Sequence, residues 1–188
     1  MGKSGVKIRP EAIPDIIRSI PQNLQLFLNM KGRSDVVIGT NSAGRSLPGA
    51  VEGGGDKLPG SLHGIGYAHD LKIHSPKSGT YDDLIVNVRI LEKDPGLVPL
   101  LHEFAIDEDL EWGGLWEKGR SFLVESEKFG DQVYWSGELH HFELKAENFE
   151  SEIDPNIKEY MKMIGLPMYE IYTAQGRTKL YKSVLRDF

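Results

Sequence analysis

The chain has 188 residues, 39% of them hydrophobic, which is enough to build the core of one ordinary globular domain. Its 22 Lys and Arg against 28 Asp and Glu leave a formal charge of -6, which argues against general nucleic-acid binding, a class that leans basic. With no Cys, disulfides, thiolate metal sites and a cysteine nucleophile are excluded, so any metal site must draw on His, Asp or Glu.

Residues 1–15, MGKSGVKIRPEAIPD, carry charge but no apolar h-region, so no secretory signal is expected. No window approaches the ~18 apolar residues that a membrane span needs. Between residues 10 and 30, Ile13, Ile16, Ile17, Ile20, Leu24, Leu26, Phe27 and Leu28 have helical spacing, which predicts one or two short helices broken near Pro21. Asp35-Val-Val-Ile-Gly39 reads as a short buried strand. Residues 40–60 are loop-like, with glycines at 44, 49, 53, 54, 55 and 60, and a loop that long inside a compact domain is usually functional or mobile. A strand is expected over residues 67–73. Asp82-Asp83 can cap a helix with apolar positions Leu84, Ile85, Val88 and Leu91, but Leu84-Ile85-Val86-Asn87-Val88 is β-branched enough to be a strand. Residues 95–105 read as helix with Pro95 near its start. Short strands are expected at 120–124, 132–135 and 139–144, a helix at 155–164, and a basic helical tail over 177–186. The mixture predicts an α+β fold with a central antiparallel sheet and flanking helices.

The chemistry concentrates in three segments. In Ser61-Leu-His63-Gly-Ile-Gly66-Tyr-Ala68-His69-Asp70, His63 and Asp70 lie seven apart. One uninterrupted strand would point them to opposite faces, but Gly64 and Gly66 let the chain turn between them. Small Ala68 shares a face with Asp70, and an imidazole with a carboxylate suits zinc. On its own such a pair is more often a surface His and an ion-paired Asp. In Gly137-Glu138-Leu-His140-His141-Phe142-Glu143-Leu144, Glu138 sits three residues before His141. A carboxylate near metal-bound water can take its proton and later hand it to a leaving amine. Strand alternation sends His140 and His141 to opposite sides, and by the same rule His69 faces away from Asp70. The third segment, Glu111-Trp112-Gly113-Gly114-Leu115-Trp116, supplies a tight turn and two large flat side chains, for core packing or for one wall of a cleft. His74 reads as a surface residue and His102 as a structural one. Ser61 has no convincing partner base, which argues against a serine hydrolase.

Taken together, Ser-x-His-x-x-Gly-x-Ala-x-Asp, Trp-Gly-Gly-x-Trp and Glu-x-x-His, in that order, resemble the zinc D-Ala-D-Ala carboxypeptidases and the related phage L-alanyl-D-glutamate endopeptidases. The wider structural group also includes the hedgehog signalling domain. The resemblance spans about residues 39–144 and leaves 145–188 as an extension of unknown role. It implies a single metallopeptidase domain in which His63, Asp70 and His141 hold Zn²⁺. Glu138 would be the general base and then acid. Ser42-Ala-Gly44-Arg45-Ser46 is the nearest match to a Ser-Gly-Tyr-Arg-Ser segment of the family, which implies that Arg45 stabilises the oxyanion. Ser61 and Trp112 would support the substrate side of the site. The implied function is hydrolysis of peptidoglycan stem peptides, with the Trp-Gly-Gly segment favouring the endopeptidase branch. The partner would be the stem peptide, with no nucleic acid and no membrane span. The expected route is synthesis in the cytoplasm and action on the bacterial wall after phage-type release or injection. The alternatives are a non-catalytic metal-binding recognition module and a virion structural protein with the same fold.

Overall fold

The computed structural model describes residues 15–42, 67–78, 83–145, 168–172 and 178–182. The chain divides into two compact units: residues 1–18, 42–69 and 144–188 form the first, and residues 19–41 and 70–143 the second.

Helix α1 (Asp15–Met30) buries Ile17, Ile20, Pro21, Leu24, Phe27 and Leu28, a stripe at helical spacing. The break expected near Pro21 does not occur, and the helix runs through it. A proline there cannot donate to the carbonyl four residues back, which is that of Ile17. His69 fills this role. Its Nδ1 lies 3.0 Å from the Ile17 oxygen and must carry the donated proton. His69 is therefore a buried structural residue, turned away from Asp70 as alternation predicts.

Strand β1 (Val37–Ser42) follows, then β2 (Ala68–His74). Helix α2 (Asp83–Lys93) settles the ambiguous run in favour of helix, with Asn87, Ile90 and Leu91 buried at helical spacing. A 3-10 turn at Pro95–Leu97 leads into α3 (Val98–Asp107). The short strand β3 (Leu110–Trp112) runs directly into a second 3-10 turn, Gly113–Leu115. β4 (Ser121–Ser126) and β5 (Gly130–Trp135) form an antiparallel hairpin, and β6 (His141–Leu144) closes the matched region. The first unit also contains the antiparallel pair β7 (Met168–Tyr172) and β8 (Thr178–Lys182). The basic tail is thus a strand in its described part, because residues 168–172 offer it a pairing edge that charge content does not reveal. The helix expected at 155–164 lies outside the described residues.

The main sheet has the order β1-β2-β6-β3. Leu71 N–H donates to His140 O at 2.9 Å, and Leu144 N–H donates to Tyr67 O at 2.9 Å. These bonds make β2 and β6 antiparallel and set Asp70 directly opposite His141, in a pair flanked by hydrogen bonds but not joined by them. Side chains approach most closely across such pairs. In the second unit an aromatic chain runs behind the sheet: Phe27 on Phe104 at 5.6 Å, Phe104 on Phe142 at 5.9 Å, and Phe142 on Trp112 at 6.2 Å. Alternation along β6 therefore commits Phe142 to the core and sends His141 and Glu143 to the opposite face.

Candidate metal centre

Asp70 and His141 are 4% and 7% exposed, and His141 Nδ1 lies 2.9 Å from Asp70 Oδ1. Glu143, two residues along β6 and 3% exposed, sits behind the ring, its Oε2 3.0 Å from Nε2. Each ring nitrogen thus meets a carboxylate. Burial by itself pulls the imidazolium pKa down; the bonds to Asp70 and Glu143 outweigh it and push the pKa up to about 10.

His140 departs from the alternation argument. It precedes β6, in a turn where His141 N–H donates to Glu138 O at 3.0 Å, so the rule for strands does not apply to it. Its Nε2 reaches to 3.8 Å from Asp70 Oδ1, and its Nδ1 accepts from Asn87 Nδ2 of α2 at 2.8 Å. Asp70 is thus approached by both neighbouring histidines. The expected strand at 139–144 is shortened to four residues by the same turn.

The tryptophan-glycine segment packs against this turn. Trp112 donates its indole N–H to Leu139 O at 2.8 Å. A Cβ on Gly113 would lie 2.1 Å from Glu138 O, so only glycine permits this approach. Trp116 tilts over His141 with ring centroids 5.0 Å apart, and its buried indole N–H has no hydrogen-bond partner among the described residues. Lys118 lies over Trp116 at 5.5 Å and pairs with Glu138 Oε1 at 3.5 Å. A Cβ on Gly137 would meet Lys118 atoms at 2.9 Å, so this glycine lets the two segments run close enough for that pair.

Of the residues singled out in the sequence, Asp70 and His141 come together. Glu138 stands at the head of the same turn with its carboxylate partly exposed. Trp112, expected to face substrate, is 2% exposed with its N–H engaged, and holds the turn from behind. His102 is structural, its Nδ1 3.1 Å from Tyr134 OH and its ring stacked on Phe129 at 4.2 Å. His63, Ser61 and Arg45 lie outside the described residues. Among the described residues, no three His, Asp or Glu form a group arranged to hold a metal ion.

Lys118, Asn87 and the contact of Glu143 with His141 were not singled out in the sequence. The spacing of His141 and Glu143, two apart on a strand, was a usable signal for the last. Asn87 and Lys118 reach the site only through tertiary contacts and left none. The donor chemistry fits zinc: a carboxylate oxygen and an imidazole nitrogen face each other, and a second carboxylate takes the other ring nitrogen.

Among the described residues no helix is long and apolar enough to cross a membrane. No protein-family model matches the chain, and neither the curated proteins nor the solved structures gave a match.

Proposed function

We propose that the protein is a zinc-dependent peptidase that hydrolyses peptide bonds of peptidoglycan stem peptides, of the L-alanyl-D-glutamate endopeptidase or D-Ala-D-Ala carboxypeptidase type. The observation that carries the reading is the meeting of Asp70 Oδ1 and His141 Nδ1 at 2.9 Å, from two segments whose motifs predict them as ligands. The packing of the Trp-Gly-Gly-Leu-Trp segment on the Glu138–His141 turn adds to it, since it brings the second and third motifs together.

In this reading Asp70, His141 and His63 would hold zinc, which would supply Lewis acidity to activate water near neutral pH. Glu138 would accept a proton from the attacking water and deliver it to the leaving amine. Lys118, 3.5 Å from Glu138 Oε1, would orient that carboxylate. Arg45 stabilises the developing oxyanion.

The test is digestion of purified peptidoglycan by zinc-loaded wild type and Glu138→Ala, with mass analysis of the fragments. Wild type is expected to release peptides with new termini, and Glu138→Ala to lose about 10²-fold or more in rate. Equal rates would remove Glu138 from the mechanism.

A recognition module has one observation on its side. Both nitrogens of His141 already meet carboxylates, so the cluster can serve as a buried charge network without metal. Stoichiometric zinc with no products from several wall types would favour that module. Absence of zinc uptake would reduce the cluster to a structural one.

A further inference from the structure

We infer that Glu143 is a positioning residue for the metal: it holds His141 in the tautomer that presents Nδ1, and not Nε2, as the ligand atom. The inference rests on the zinc reading of the site.

An imidazole can bind a metal through either nitrogen, and the hydrogen bond made by the other decides which. His141 Nε2 lies 3.0 Å from Glu143 Oε2, while Nδ1 lies 2.9 Å from Asp70 Oδ1, the other expected ligand in the described region. A carboxylate behind Nε2 accepts and retains its N–H, so the proton a metal would displace is the one on Nδ1, which faces Asp70. Both residues belong to β6, two apart, so the strand itself keeps them on one face. Glu143 is 3% exposed and Phe142 between them is fully buried in the core, which fixes the strand against rotation. Trp116, tilted over the ring at 5.0 Å, blocks the imidazole from swinging aside. A buried carboxylate is costly unless it is paired. Beside a metal-binding imidazole it strengthens the ligand and sets its direction, a function for which partners of this kind typically matter 10–100-fold in affinity.

The experiment measures zinc affinity by competition with a chromophoric chelator for wild type, His141→Ala, Glu143→Ala and Glu143→Gln. The ¹⁵N shifts of the His141 ring are recorded in the zinc-loaded protein. Glu143→Ala is expected to bind zinc about 10–100-fold more weakly. Glu143→Gln, whose amide oxygen still accepts the Nε2 proton, should stay within about 3-fold of wild type. The shifts should report a metal on Nδ1 and a proton on Nε2. Zinc on Nε2, or unchanged affinity in Glu143→Ala, would overturn the inference while leaving the site reading intact. A wild type that takes up no zinc, or that binds it as well after His141→Ala, would overturn the site reading and this inference with it. Should Glu143→Ala fail to fold, the wild-type ring shifts and Glu143→Gln still decide the matter.

Discussion

At the scale of single residues, His141 sets a pH signature. Its folded pKa, about 10, is raised above the ordinary value of about 6.5. A raised folded pKa means the charged ring is stabilised by folding. That contribution is fully present below about pH 6.5 and is lost as pH climbs through about 10. Metal-free protein is therefore expected to lose stability across that window, measured by urea denaturation at a series of pH values. His141→Gln should flatten the loss. Zinc must displace the Nδ1 proton, so its apparent affinity should rise over the same range. Gly113 offers a second residue-scale test. Gly113→Ala places a carbon within 2.1 Å of Glu138 O, backbone that cannot rotate away, so the Glu138 turn must shift. The expected outcome is a loss of about 1–3 kcal/mol in unfolding free energy, measured by denaturant unfolding. Gly96, where a Cβ would meet nothing within 4 Å, is the control position for Ala substitution.

At the scale of elements, two helix-linked contacts make predictions. Pro21 leaves the Ile17 carbonyl without its intrahelical donor, and His69 of β2 supplies one. His69→Ala should cost about 1–3 kcal/mol because that buried carbonyl loses its partner. In a Pro21→Ala background the helix can bond Ile17 itself, so the cost should shrink. A double-mutant cycle by denaturant unfolding reads this coupling, and strict additivity would contradict the account. The second contact is Asp94, 2% exposed between α2 and the 3-10 turn before α3. It meets Arg33 Nη2 at 2.5 Å, accepts from Ser75 Oγ, and lies 3.6 Å from Lys77. The bond to Asp35 first, then burial acting against it and the bond to Asp94, leave the Arg33 pKa above its ordinary value. Asp94→Ala strands this charge and should cost about 3 kcal/mol, the lower end for a broken buried pair, since Arg33 keeps Asp35. The elements themselves were largely legible. Short strand-like runs separated by glycines marked β4, β5 and β6, the helical spacing of apolar residues marked α1, and Pro95 marked the start of the segment that holds α3. What failed was local inference about context. The Pro21 break did not occur because a donor from outside the helix replaced the missing bond, and the tail became a strand because residues 168–172 pair with it.

At the scale of the whole molecule, the α+β class could be read directly, since it follows from composition and periodicity. Asp70, Glu138 and His141 became candidates through the motif resemblance, since their spacing by itself is shared with ordinary surface pairs. The tertiary structure decided what those residues do to one another. The β2–β6 register puts Asp70 opposite His141, and that register depends on hydrogen bonds between residues 71 and 140 that no local pattern encodes. It also brought His140 toward Asp70 through a turn, moved Trp112 into the core, and set Trp116 over the His141 ring. Side-chain type and period are local properties that a sequence displays. Which two faces meet, and which groups each nitrogen of a ring meets, follow from packing many distant segments at once.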